Sequence, residues 1–356
     1  MKINSIKILK HHNNLFLGFC LINLILIMPV SVSALENDKY NSENGLHIAL
    51  NEEKSKKSDE HAKGQGARKN KGPKPRGALH TSGGGVFDKG QYQATFRHIY
   101  LKQDQIYEGS SKKGYSKPGP YERETHNMNL AFRAGVFNNF DLRLAIPMSE
   151  KEMKRKTKKE DISQDSFNIG DIRLIGRYRL MSQKHGNMIN LAIGAGIKMP
   201  TGETNKKEKG QTLPGFLQAG TGSWDPVFEV AAHKMAGRQR IGASLMYTMT
   251  TEGRRGGKDF EAPDDFRYNL AWVSALSKYF DFILELNGRY TTKAKVEGKK
   301  QKNSGGHTIH LTPGMNFKFN KSLHFTFGVP TIVYRDLNGR QLSEDYRISS
   351  KLVYKF

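Results

Sequence analysis

Phe266-Arg267-Tyr268-Asn269-Leu270-Ala271-Trp272 is the stretch whose reading decides the fold. Phe266, Tyr268, Leu270 and Trp272 occupy every second position, and Arg267 and Asn269 stand between them. A period of two is that of a β-strand with one apolar and one polar face. The pattern recurs on both sides. Met128, Leu130, Phe132 and Ala134 oppose Asn127, Asn129 and Arg133. Phe280, Phe282, Leu284 and Leu286 oppose Asp281, Glu285 and Asn287. Tyr92, Ala94, Phe96, His98 and Tyr100 open the series, and Ile348, Leu352, Tyr354 and Phe356 close it. Between Gln91 and Phe356 the alternation predicts about twelve strands of roughly ten residues.

The composition decides what kind of sheet this is. Only 37% of the 356 residues are hydrophobic. That excludes a polytopic helical membrane protein, which needs repeated apolar runs of about 20 residues. A membrane barrel averages to a polar composition because lipid-facing and lumen-facing residues alternate. Short links are predicted at 137–140, 181–187, 236–239, 278–280 and 320–322. Long polar links are predicted at 102–125, 150–166, 200–223, 252–265, 292–306 and 334–344. Short turns at one end and long loops at the other are the plan of an outer-membrane barrel. A soluble sandwich also alternates but gives no reason for all its long loops to share one end. The predicted fold is all-β, a transmembrane antiparallel up-and-down barrel over 86–356, located in the bacterial outer membrane.

The N-terminus reads as an export signal. Lys2, Lys7 and Lys10 precede an apolar run from Leu15 to Val30, and Val32-Ser33-Ala34 offers small residues for cleavage. Residues 1–34 are therefore expected to be removed. The single cysteine, Cys20, falls inside them, so no disulfide framework is available. Residues 35–85, rich in Lys, Glu, Asn and Gly, are expected to be a disordered charged tether. Its Gly66 to Arg76 stretch is basic but carries no aromatic for base stacking, so nucleic acid is not expected as a partner.

If the apolar face meets lipid, the other face lines a lumen. Arg97, Arg133, Arg143, Asp171, Arg173, Arg177, Glu229, Arg267, Asp281, Glu285, Arg289 and Lys351 then point inward. One reading is a path biased toward anions or polarised solutes. The other is an internal salt-bridge network that plugs and rigidifies the barrel. The formal charge of +23 suits an anionic membrane surface or substrate. Lys151, Lys154, Arg155, Lys156, Lys158 and Lys159 in one long link could meet lipopolysaccharide phosphates or simply be solvated.

No nucleophile elbow or triad context stands out, so no catalytic residue is assigned. His307 and His310 fall on opposite strand faces, which disfavours a shared metal site. No metal or other cofactor is expected.

Two short motifs carry a family resemblance. The first is Lys198-Met199-Pro200-Thr201-Gly202. The second is Leu217-Gln218-Ala219-Gly220-Thr221-Gly222-Ser223-Trp224-Asp225. The pair resembles the outer-membrane transporter family of the meta-pathway of phenol degradation. In that family Lys-x-Pro-Thr-Gly precedes Leu-Gln-Pro-Gly-Thr-Gly-Ser-Trp-Asp; here Ala219 stands in place of the proline, and Met199 where leucine is common. The resemblance implies an outer-membrane barrel with uptake of hydrophobic or aromatic compounds. The alternative is a structural or surface-interaction barrel without transport. A membrane-embedded hydrolase is a third class, for which no active-site pattern is seen. Physically, the motif reads as a loop folded over the barrel mouth, with Trp224 anchoring at the interface.

The chain stops at Phe356, on the same face as Tyr354. The last strand must pair with the first to remove both sheet edges. A terminal aromatic strand also offers free backbone groups to the barrel assembly machinery. Tyr354 and Phe356 are the expected assembly signal.

Overall fold

The computed structural model describes residues 72–115, 121–156, 161–208 and 210–356. The expected signal at 1–34 and the tether as far as residue 71 lie outside the described residues. The described chain is almost wholly β, with 3-10 turns only at Gln183–His185 and Gly215–Leu217.

The barrel strands are β1 (Tyr92–Gly109), β2 (Tyr121–Phe137), β3 (Phe140–Lys156), and β4 in two parts, Asp161–Ile169 and Arg173–Met181. Then come β5 (Asn190–Lys198), β6 (Asp225–Ala236), β7 (Gln239–Thr248), β8 (Asp265–Ala275), β9 (Phe280–Thr291) and β10 (Gly306–Lys318). Strand β11 begins as Leu323–Gly328 and continues into the first part of the long strand Thr331–Lys355. That strand reverses at Gly339, whose φ is 65°. Residues 331–337 pair with β10, and 340–355 form β12.

Each strand pairs antiparallel with its sequence neighbours, and β1 pairs with both β2 and β12. This last pairing runs from Gln93↔Lys355 to Gly109↔Leu337 and closes a twelve-stranded barrel. Closure leaves no edge, which is the condition for β-structure in a hydrocarbon solvent. Period-two patterning then sorts the side chains. Ile193, Phe228, Leu245, Leu270, Trp272 and Ile348 face outward. Asp141, Asp225, Asp281, Glu285, Thr312, Asn316, Thr326 and Ser349 are almost wholly buried inside.

The structure corrects two expectations. First, three of the predicted long links are largely strand. β1 runs on to Gly109, β2 begins at Tyr121, β3 runs to Lys156 and β4 starts at Asp161. The 334–344 link is likewise strand, paired on either side of its reversal at Gly339. Once a strand leaves the membrane both faces are wetted, so the apolar alternation fades while the backbone ladder continues. Lys151, Lys154 and Arg155 therefore stand on β3 rather than in a loop, and Lys158 and Lys159 lie outside the described residues. The other long connections fold on themselves: Lys207–Glu208 pairs Gln211–Thr212, and Glu252–Arg255, Lys258–Glu261, Lys295–Val296 and Lys299–Lys300 make a small sheet.

Second, the stretch expected to be disordered up to residue 85 is ordered from 72 onward and lies inside the barrel. Ala78, Leu79, Thr81 and Val86 are buried. Ala78 joins the inward-facing Ala271, Val273 and Ile283 in an apolar cluster. The segment starts beside the short turns, where Arg76 donates to the carbonyls of Asn320 (3.0 Å) and Lys321 (2.8 Å). It rises to the level of Glu285, crosses the lumen, and returns to the same rim where Asp88 meets Arg179 and Lys184. Short turns mark the periplasmic end in barrels of this kind.

Candidate functional site

The strand alternation points a set of charged groups into the lumen, and the segment 76–88 engages them with its own backbone. The Glu285 carboxylate accepts the backbone N–H groups of Leu79, His80 (3.1 and 3.0 Å) and Thr81 (3.3 Å). Facing it, Arg97 donates to the Leu79 carbonyl at 3.0 Å, and Lys351 donates to the carbonyls of Ala78 and Leu79. Farther along, Arg177 reaches Gly83 O (2.6 Å) and Arg133 reaches Gly85 O (2.6 Å). Arg179 reaches Val86 O, and the Phe87 N–H donates to Asp141 at 2.8 Å. At the near end the Arg76 N–H donates to Asp281 at 2.8 Å. An extended segment has no ladder of its own, so every buried N–H and C=O needs a partner. The lumen charges supply most of those named here, with Asn316 serving the Gly77 carbonyl and Ser244 the Ser82 N–H.

Gly84 shows how close the approach is. A Cβ there would lie 2.2 Å from the Asn190 carbonyl oxygen and 2.6 Å from that of Ala231, both on the barrel wall. Only glycine permits this contact. The run Gly83-Gly84-Gly85 was the available sequence signal for the inner segment, together with the apolar Leu79 and Val86 in a polar stretch.

Beyond the segment the charges pair with one another. Glu229 is held between Arg143 and Arg177, the latter at 3.2 Å. Asp265 is shared by Arg267 and Arg289, at 2.6 and 3.0 Å. Glu344 accepts from His310 and from Arg347. Arg173 also faces this part of the lumen; its Nε is buried and has no hydrogen-bond partner among the described residues. Arg240, Asp265 and Glu344 belong to this interior but were not singled out from sequence; Arg240 and Asp265 lie in phase with the polar face, whereas Glu344 shares the parity of the apolar Tyr346 and Ile348 and is turned inward by a bulge in the pairing with β1. At the short-turn rim, the hydrogen bond from Arg179 and then that from Lys184 hold the Asp88 carboxyl below its usual range.

At the long-loop end the two motifs meet in a buried charge node. Lys198 lies 2.9 Å from Asp171 and 2.7 Å from Asp225. Asp171 also accepts the N–H groups of Gly202 (3.0 Å) and Thr221 (2.9 Å) and the Thr221 hydroxyl (2.9 Å). Thr201 caps the Ile172 N–H at 2.9 Å, just after Pro200 ends the pairing of β5. The motif halves touch at Gly202 and Gly220, where a Cβ on Gly220 would lie 2.2 Å from the Gly202 carbonyl oxygen. Gly222 adopts a φ of 76°, Ser223 bonds Thr221 through their hydroxyls at 2.9 Å, and Trp224 faces outward. Lys151 is turned toward this loop and donates to the carbonyls of Phe216 (2.8 Å) and Gln218 (3.0 Å). The motif thus ties the 200–223 connection back to the barrel wall.

The profile of the family described as "Putative MetA-pathway of phenol degradation" matches residues 121–338, from β2 through β11. The chain belongs to this family. The charge node lies within the matched region, and the inner segment precedes it. The fold of this family member is similar to that of the COG4313 outer membrane channel from Pseudomonas putida F1. The TM-score is 0.58 at 14% identity, covering 76% of this chain and 97% of that one. Looser likenesses are to the transport unit of the autotransporter AIDA-I from Escherichia coli (TM-score 0.41, 10% identity, 75% and 90% covered) and to the Ralstonia pickettii toluene transporter TbuX (TM-score 0.39, 9% identity, 76% and 90% covered). No curated protein matches the sequence. Family and fold together place it among outer-membrane β-barrels.

At the seam, Tyr92 and Phe356 exchange backbone hydrogen bonds of 3.1 and 3.2 Å, and their rings stack with centroids 5.7 Å apart. Tyr354 stacks on Phe356 at 5.6 Å. The C-terminal residues therefore form the last rung of barrel closure. Among the described residues, no three His, Cys, Asp or Glu side chains stand together to hold a metal.

Proposed function

We propose that this protein is an outer-membrane channel for small solutes, aromatic or hydrophobic ones among them, closed at rest by residues 76–88. One observation carries the reading. The inner segment is held by hydrogen bonds from its backbone to charged wall groups, with Glu285 taking three consecutive amides. Such bonds exchange readily with water, unlike an interlocked apolar core, so the segment can be displaced without unfolding the barrel. Membership of a family named for phenol degradation supports a solute of that class, and the reading is transport rather than catalysis. Lipopolysaccharide and the barrel assembly machinery are its proposed envelope partners.

The test is single-channel recording of the purified protein in planar bilayers. Discrete steps that lengthen in a Glu285→Gln variant, and that phenol in the bath interrupts, are expected. A silent barrel in both proteins, with normal heat-modifiable gel mobility, would favour a structural role.

A further inference from the structure

The lumen beyond the inner segment carries an unequal set of charges. Asp265 accepts from Arg267 through Nε (3.1 and 3.0 Å) and Nη2 (2.6 Å). It also accepts from Arg289 through Nε (3.0 Å) and Nη2 (3.2 Å). Arg173 lies within electrostatic reach of all three groups. The other carboxylate nearby, Asp171, is engaged by Lys198, Gly202 and Thr221. Three guanidinium groups therefore face one carboxylate, an excess of two positive charges.

Exposure separates this cluster from the other inward arginines. The Arg177 side chain is 2% exposed and is occupied by Glu229 and the inner segment. The side chains of Arg267 and Arg289 are 40% and 55% exposed. Their hydrogen bonds to Asp265 run through Nε and Nη2 and leave Nη1 over, and the buried Arg173 Nε has no hydrogen-bond partner among the described residues. The Arg267 and Arg289 side chains thus keep an exposed edge, while the Arg173 Nε lies buried beneath it.

We propose that Arg173, Arg267 and Arg289 form an anion site that takes the carboxylate group of a small solute in transit. This rests on the channel reading above. Asp265 displays the geometry the arginines accept, a planar carboxylate held by parallel N–H donors. A second carboxylate meets the remaining Nη1 donors and neutralises part of the excess. A neutral solute of equal size gains none of this. In a chamber walled by protein the attraction is less screened than at the surface.

The experiment is isothermal titration of the purified full chain in neutral detergent with benzoate, benzyl alcohol and inorganic phosphate. Benzoate should bind saturably, weaken as salt is raised, and bind at least tenfold more tightly than benzyl alcohol. Arg267→Gln and Arg289→Gln each leave Asp265 one arginine, and each should weaken benzoate about tenfold. Lys295→Gln, at a basic residue of the small sheet outside the barrel that pairs with Glu261, should change nothing. If either arginine variant loses heat-modifiable mobility, Arg173→Gln takes its place. Equal binding of benzoate and benzyl alcohol would overturn the site, and so would an equal loss in Lys295→Gln. Phosphate binding more tightly than benzoate would overturn the carboxylate assignment. Binding in detergent requires no transport, so its failure leaves the channel reading intact. Binding by a barrel that never conducts would count against the channel alone.

Discussion

Replacing Glu285 by glutamine should loosen the inner segment without removing it. Its carboxylate accepts the amides of Leu79, His80 and Thr81 and bonds Asn287 at 3.0 Å. A hydrogen bond to a charged group contributes about 1.5–3 kcal/mol, and a neutral one about 1 kcal/mol. Losing the charge therefore costs roughly 1 kcal/mol for each of the three amides, or about 3 kcal/mol together. Arg97 and Lys351 still hold the Leu79 carbonyl, so the closed state persists. At about 1.4 kcal/mol per factor of ten, the open population should rise about 100-fold. A single cysteine at Ser82 reports this directly in a chain carrying Cys20→Ser, because no other cysteine is present. Ser82 lies inside the barrel, its N–H bonded to Ser244 Oγ at 3.2 Å. Thiol labelling in the folded protein should run about 100-fold faster in the Glu285→Gln background if labelling follows opening. Rates within twofold of each other would refute the claim that Glu285 holds the segment.

Leu270→Arg places a charge on the outward face beside the inward Ala271, and should cost about 2–4 kcal/mol in urea titrations of bilayer-folded protein if the site lies near the midplane. Lys198→Met leaves Asp171 and Asp225 buried without their cation; a loss of about 3–5 kcal/mol is expected, seen as protease cleavage within 200–223 before the barrel itself yields. Deleting residues 354–356 removes the Tyr92–Phe356 rung and should abolish the heat-modifiable band in outer-membrane fractions, whereas deleting 38–70 should not. Asp88 has a depressed pKa, so its contribution is present above the ordinary carboxylate value of about 4 and is lost as pH falls through the lower folded value. Labelling at the Ser82→Cys site, corrected for ionisation of the thiol itself, should accordingly stay flat down to about pH 4 and rise only in stronger acid.

The barrel was legible because its determinants are local and repeated. Phe266 to Trp272 alternates as a strand wherever it is placed, and twelve such segments with one short-turn end leave few closed arrangements. The same alternation assigned Arg97, Arg133, Arg177 and Glu285 to the polar face before any partner was known. Lys198, Gly202, Gly220 and Asp225 could be grouped by their spacing, although that spacing does not tell that one lysine joins two buried aspartates. The strand extensions past Lys102 and Lys151 were hidden because, above the membrane, neither face must be apolar.

What the sequence alone determined, then, is the sheet: its period, its two faces, its strand count and the end at which it closes. What only the tertiary structure decided is the content of the lumen. Residues 72–90 have no periodicity, and their hold on the barrel runs through backbone N–H and C=O groups that every residue type carries. His80 and Glu285 stand 205 positions apart, and nothing in either neighbourhood names the other. The same holds for the charges above them. Which arginine is satisfied by a carboxylate and which is left facing solvent depends on side chains from different strands converging across the barrel, a relation that closure of the sheet creates.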